Sequence, residues 1–493
     1  MKVDHIIVQA GGKGTRLEHL TANKPKAIVP VENLPMIFHL FRKFPEKRYI
    51  IIADYKKEVL RAYLESFADV KYQVVDAEGT GTCSGVKQAV DLVPEGEPFM
   101  LIWSDLILSD QFQMPEEDRH YIGISQTFPC RWKYENGEFV EERSEEYGVA
   151  GLFVFRNKEC LKELPPSGEF VRWLKGRNIR FEPLGLAGTR EFGTLSEYAR
   201  VNAIKTRPFN KMTMNDDIVI KEPVDKQGHE LAKREVQWYK YASENGIQAI
   251  PRIVSYEPLT MERIDGHNIY EMEADREVLG RIVDALKELH RVKTVPADAF
   301  STKDAYYGKT MKRLAKIRDL VPFADQRIIT VNGRECRNVF FYRREFERLL
   351  DGLHCEHFTF IHGDCTFSNL MLRKNGDPVF IDPRGYFGHT ELYGDPDYDW
   401  AKLYYSIVGN YDPFNLKEFR LSIGDQGVQL EIGSNGWEHL ERDFFQLVEA
   451  EERRIKLIHA VIWLSLTTYA WQDYDSICGA FYNGLYYLEE CWS

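Results

Sequence analysis

The chain has 493 residues, enough for two or three domains, and with 44% apolar and 13% aromatic residues each half can bury a core of its own. A formal net charge of −12 speaks against a nucleic-acid binder, whose partner demands clustered Lys and Arg, but leaves nucleotides open, since they need only a few local cations. No apolar run reaches the roughly 18–20 residues that span a bilayer, so membrane insertion is not expected.

The first ten residues lead straight into a glycine loop with no small-residue cleavage site, and read as a first strand rather than a signal peptide. Eight cysteines are scattered without a C-x-x-C or a Cys/His cluster, as reduced thiols are, so a cytoplasmic protein without zinc is expected. From residue 3 to about 202, β-rich runs (HIIVQA, RYIIIADY, KYQVVDA, FMLIWSD, YIGISQ, GVAGLFVF) alternate with stretches of helical spacing such as 56–66 and 84–92. That alternation predicts an α/β layer with a largely parallel sheet. The polar, Pro-bearing AIKTRPFN at 203–210 marks a linker, dividing the chain into domains 1–205 and 206–493. Strands in KMTMNDDIVIKEP and a charged helix in GHELAKREVQWYKYASENG predict a small α+β lobe over 210–270. The lobe from 271 onward reads as mostly helical, with apolar residues at 278, 279, 282, 283, 286 and 289 on one helix face. Its tail from about 437 is helical and aromatic. Trp463, Tyr469, Trp471, Tyr474, Phe481 and Tyr482 could form a cation–π cage for a quaternary ammonium, but aromatics at helical spacing read better as core.

Two segments carry chemistry. In HIIVQAGGKGTRLEHLTANKPKAIVPV a strand ends at Ala10, and Gly11, Gly12, Gly14 and Thr15 follow. A glycine loop after a strand lets backbone N–H groups approach phosphate oxygens, and Arg16 and Lys26 add cations for a triphosphate. In FIHGDCTFSNLMLRKNGDPVFIDPRG the pattern is H-G-D-x4-N, then I-D about a dozen residues on. Asp364 can orient a substrate hydroxyl and accept its proton, Asn369 and Asp382 can hold Mg²⁺ on nucleotide phosphates, and His362 braces the loop.

Over residues 1–202 the G-x-G-x-R, P-K and P-V sequence resembles the sugar-phosphate and choline-phosphate nucleotidyltransferases. The resemblance implies a Rossmann-like domain and a base- and ribose-contacting loop at Gly79, Thr80, Gly81 and Thr82. It also implies a metal-binding Asp105, an acceptor pocket at GVAGLFVF and a second metal ligand at Glu191. Glu191 departs from the family's Asp by one methylene, and His19 replaces a frequent Pro. The Lys used on the acceptor phosphate has no clear match; Arg131, Lys133 and Arg143 are the alternatives. Over 210–493 the chain resembles the aminoglycoside phosphotransferase and choline kinase superfamily, which implies a protein-kinase-like α+β fold. Lys221 stands at the strand lysine on the nucleotide phosphates. Glu235 is its partner, with Glu230 the alternative, and YEPLTMERIDG around Glu262 is the adenine hinge. Asp395 and Asp399 read as structural caps and salt-bridge partners. No G-x-G-x-x-G appears in KMTMNDDIVI, so no phosphate-covering loop is assigned.

The joint expectation is a bifunctional Mg²⁺-dependent enzyme. Its kinase half phosphorylates a small alcohol with ATP, a choline-like amino alcohol being favoured. The other half transfers a nucleotidyl group from a second NTP, CTP favoured, onto that phosphate, for decoration of a surface glycan or lipid. A sugar or polyol substrate, or a regulatory pseudokinase, are the alternatives. The sequence leaves oligomeric state open.

Overall fold

The computed structural model describes residues 2–202, 210–224 and 226–492. The chain falls into two compact units. One is Met1–Thr206 with Trp471–Asp475, the other Arg207–Ala470 with Ser476–Ser493. The linker expected at 203–210 lies, except for Asn210, outside the described residues.

The first unit is built on β1 (His5–Gln9), β2 (Arg48–Ala53), β3 (Lys71–Asp76) and β4 (Phe99–Trp103). These pair in parallel in the order β3-β2-β1-β4, with His5 opposite both Arg48 and Phe99. Parallel strands covered on both faces read as continuous apolar runs, and Ile6, Ile7, Val8, Ile51 and Ile52 are all fully buried. The helices Lys57–Phe67 and Val86–Asp91 follow β2 and β3, as their spacing predicts. The sheet is less parallel than expected: Gly148–Phe155 runs antiparallel to β4 and carries the sheet onward. Its strand is buried along its whole length, so composition alone does not reveal direction.

This unit also takes in five residues from far along the chain, which the sequence division assigns to the second domain. Trp471 packs against Phe38 and Phe67, with ring centroids at 5.4 and 5.8 Å. Lys24, 2% exposed, pairs with Asp473 at 3.1 Å and with Asp475. A lysine this deeply buried stays charged only with such partners, and the two carboxylates outweigh burial and raise its pKa.

The second unit opens with an antiparallel sheet of Asn210–Met214, Ile218–Pro223, Leu259–Glu262 and Ile253–Tyr256, in that spatial order, and the helix Lys226–Glu244. The helix expected at 276–292 spans Arg276–Arg291 and is capped by Asp275, whose side chain accepts from the Glu277 and Val278 amides. The region beyond is helical, but it contains a four-stranded sheet the helical reading passes over, formed by Ile328–Val331, Arg334–Arg337, Phe419–Gly424 and Gly427–Ile432. Its first hairpin turns at Asn332-Gly333, both at positive φ, the Asn-Gly signature of a two-residue turn. In the tail, Trp463, Tyr474, Phe481 and Tyr482 are at most 1% exposed and belong to the core, whereas Tyr469 is exposed.

Candidate active sites

In the first unit β1 ends at Gln9, and Gly11, Gly12 and Gly14 form the loop into the short helix Thr15–Thr21. Gly14 has φ +64, a left-handed turn that aims Arg16 back over the strand ends. Lys26, eleven residues past the start of that short helix and 9% exposed, donates to Asp105 just beyond β4. A two-stranded ladder places Glu191 opposite Leu106, and the Phe192 amide donates to the Asp105 carbonyl at 3.0 Å. Asp105 and Glu191 are thus neighbours, and Arg16 Nη2 lies 3.7 Å from Glu191. Burial first, and then the charge of Asp105, push the Glu191 carboxyl up to about 7. Two oxygen donors that repel each other when ionised suit a hard divalent cation, and the extra methylene of Glu191 does not separate them.

The loop at Gly79, Thr80, Gly81 and Thr82 is brought to the same end of the sheet: Gln9 Nε2 donates to the Thr82 carbonyl at 2.9 Å. Gly79 has no alternative, since a Cβ there would sit 1.9 Å from the Pro166 carbonyl oxygen. The Gly79 and Thr80 amides donate to Ser84 Oγ and Ser167 Oγ at 2.9 and 3.0 Å, and Thr82 Oγ1 accepts from the Phe170 amide at 2.8 Å, bonds that shape the loop. Beside Arg16 lies a cavity of about 420 Å³ lined also by Arg131 and Arg143. Glu141 and Glu142 line it too, Glu141 bound to Arg131 and Glu142 to Lys133 at 2.8 Å.

The second unit assembles the kinase set more tightly. Lys221 pairs with Glu235 at 2.6 Å, a bridge from strand to helix, and with Asp382. Burial disfavours the ammonium, but the Asp382 and Glu235 charges outweigh it and raise the Lys221 pKa. Glu230 instead pairs with Lys233 on the surface. Asn369 Nδ2 donates to the Asp364 carbonyl at 2.8 Å and lies 3.4 Å from its carboxylate. Asn369 and Asp382 offer an all-oxygen pair, which fits Mg²⁺. His362 braces the loop as expected: Nδ1 accepts from the Asp364 amide at 3.2 Å, and Nε2 bonds the Ile381 carbonyl at 3.1 Å. Asp399 accepts from the His362 and Gly363 amides at 2.9 and 2.7 Å, and Asp395 caps its helix and holds Arg454 at 2.6 Å, so both are structural. Glu262 closes the hinge strand Leu259–Glu262. Its carboxylate already carries Arg373 at 2.5 Å and the Arg252 amide at 2.9 Å, and so ties the hinge strand in place.

Four cations near Asp364 escape the motif reading. Lys402 bonds Asp364 at 2.9 Å, and Arg384, Lys309 and Arg313 stand close by. Burial raises the Asp364 pKa, but Lys402 and Arg384 outweigh it and hold the carboxyl down at about 2. The signals were the Arg two residues after Asp382 and the four-residue spacing of Lys309 and Arg313.

The first fold ends its parallel strands at a glycine loop with paired carboxylates, and the second places a Lys–Glu bridge beside an Asp–Asn catalytic loop. Each constellation sits within one unit and gathers the cations and carboxylates that handling of phosphates requires. Residues 5–118 match the nucleotidyl transferase family model and residues 214–424 the phosphotransferase enzyme family model. Over 109 residues it is 31% identical to the bifunctional protein GlmU of Methanocaldococcus jannaschii, covering 22% of this chain and 26% of that one. Over 114 residues it is 32% identical to the mannose-1-phosphate guanylyltransferase catalytic subunit beta of Dictyostelium discoideum, covering 22% and 32%. The chain therefore spans about a third or less of the length of these relatives. Among solved structures, the CTP:phosphocholine cytidylyltransferase of Streptococcus pneumoniae aligns with 41% of this chain and 97% of its own, at 20% identity and a TM-score of 0.32.

Proposed function

We propose that the chain performs two consecutive phosphate transfers on one small molecule. In the second unit, Asp364 accepts the proton of an alcohol as its oxygen attacks the γ-phosphorus of ATP, while Lys221 holds the remaining phosphates. In the first unit, the new phosphomonoester attacks the α-phosphorus of a second nucleoside triphosphate, CTP favoured, giving NDP-X and pyrophosphate. That phosphate is already a nucleophile, so the first site needs no general base. Arg16 and Lys26 bring two anions together and neutralise developing charge. Mg²⁺ would be held by Asp105 and Glu191 in one site and by Asn369 and Asp382 in the other, where it would neutralise phosphate charge. Arg143 and Arg131 beside Arg16 are the best-placed groups for the acceptor phosphate. The observation that carries the reading is the second complete set, Lys221–Glu235–Asp382 with Asp364–Asn369, in a unit of its own. The product would feed a cytoplasmic transferase that decorates a surface glycan or lipid. The choline-like amino alcohol expected from the sequence draws no support from the buried tail aromatics.

The test is the full chain with small alcohols, ATP and each of the four NTPs. Pyrophosphate should appear only when an alcohol, ATP and the preferred NTP are all present. Pyrophosphate from a supplied phosphomonoester, with no ATP consumed on any alcohol, would make the second unit a pseudokinase instead.

A further inference from the structure

Around Asp364 the second unit gathers more positive charge than phosphoryl transfer from ATP requires. Lys402, 8% exposed on the helix Pro396–Ile407, donates to Asp364. Arg384 donates to Tyr398 Oη at 3.3 Å and lies 5.5 Å from the Tyr386 ring centre. Lys309 opens the helix Lys309–Ile317, and Arg313, one turn on along the same face, donates to the Ser465 carbonyl. Among the described residues none of Lys309, Arg313 and Arg384 forms an ion pair. The neighbouring acids are engaged elsewhere: Asp382 with Lys221, Asp399 with the His362 and Gly363 amides, Asp412 with the Ser368 amide at 2.8 Å.

Like charges held together in a half-buried cluster cost free energy that an incoming anion returns. Lys309 registers the cost: burial, and then Arg384, Arg313 and Lys402, push its ammonium well below the usual lysine range. The location decides which anion is meant. Lys402 bonds Asp364, which handles the acceptor hydroxyl, the Arg384 amide donates to the His362 carbonyl of the same loop at 2.9 Å, and Lys309 and Arg313 stand beside Arg384, whereas the nucleotide phosphates already have Lys221.

We propose that the acceptor alcohol carries an anionic group, a carboxylate or a phosphate, bound by Lys309, Arg313 and Arg384 while its hydroxyl faces Asp364. This deepens the kinase reading above and rests on it. A quaternary ammonium would meet four cations and one carboxylate here, so choline is disfavoured as the substrate.

The experiment is ATP consumption by the full chain with anionic alcohols (glycerate, gluconate, glycerol 3-phosphate, ribose 5-phosphate), neutral ones (glycerol, ribitol, inositol) and cationic ones (choline, ethanolamine). An anionic member should have the highest kcat/KM, and comparing the carboxylates with the phosphates identifies the group. Lys309→Met and Arg313→Gln should each raise its KM on the order of 10- to 100-fold, the loss of one charge-assisted hydrogen bond, with the KM for ATP unchanged. A neutral or cationic alcohol that outperforms every anionic one overturns the proposal and leaves the kinase standing. Variants that raise the KM for ATP and spare the acceptor overturn it too, by assigning the cations to the nucleotide. No phosphorylation of any alcohol overturns both.

Discussion

Replacing Lys221 by Met removes the cation that bridges Glu235 and Asp382. The side chains of Lys221, Glu235 and Asp382 are 7%, 10% and 20% exposed, so the loss takes an ammonium away from two poorly solvated carboxylates. Breaking a buried ion pair by deleting one partner costs about 3–5 kcal/mol. For a unit of this size that corresponds to a fall in Tm of roughly 6–10 °C. The pH dependence has a definite sign. In the parent the Lys221 pKa is raised, so its stabilisation is present below about pH 10.5 and is lost only as pH rises through the higher folded value. In the variant the stranded carboxylates have raised pKa values, so the deficit should be large at pH 8 and shrink toward pH 5, where they can take up protons. Scanning calorimetry of the full chain at both pH values reads this, and pyrophosphate release from a supplied phosphomonoester reports on the first unit, which should keep its activity. Lys221→Met with an unchanged Tm at pH 8, or with a deficit that grows on acidification, would refute the reasoning.

Asp364→Ala should abolish phosphorylation of the free alcohol and spare nucleotidyl transfer, and Asp105→Ala should do the reverse and accumulate the phosphorylated intermediate. Mixing the two should restore NDP-X; loss of both half-reactions in either folded variant would sink the two-site reading. A fragment of residues 1–205 should melt below the first unit of the full chain, because Lys24 loses Asp473 and Asp475, and equal melting temperatures would contradict this. Protein stripped with EDTA should regain both half-reactions with Mg²⁺; recovery with Zn²⁺ alone would exclude the oxygen-ligand sites. The acceptor KM should climb as pH rises through the lowered Lys309 pKa, since an anion favours the ammonium, and a pH-independent KM would show that Lys309 does not meet the acceptor.

The parts of the sites legible in the sequence are those where chemistry and local chain geometry coincide. Gly14 must turn left-handed just where phosphate must be approached, and Asp364 and Asn369 sit five residues apart in one loop, so short-range spacing announces them. The pairing of Asp105 with Glu191 was reachable only through resemblance, because their juxtaposition depends on a ladder closing 86 residues of chain. The cations around Asp364 come from two helices and a loop, and each alone looks like an ordinary charge on an amphipathic surface. The missed sheet has a different cause. Its first two strands are only four residues long, and their partners Phe419–Gly424 and Gly427–Ile432 lie some ninety residues away, so no local pattern joins them.

The membership of Trp471–Asp475 in the first unit also bears on how the protein is made. A ribosome adds about 5–20 residues per second, and an N-terminal domain ordinarily folds while the rest is still being synthesised. Here Lys24, close to the glycine loop, waits for Asp473 and Asp475, so for roughly 15–50 s the emerging domain holds a lysine whose partners do not yet exist. The first unit completes only after almost all of the second has been translated. The segment just beyond the glycine loop therefore gains its last ion pairs only when the chain is nearly complete.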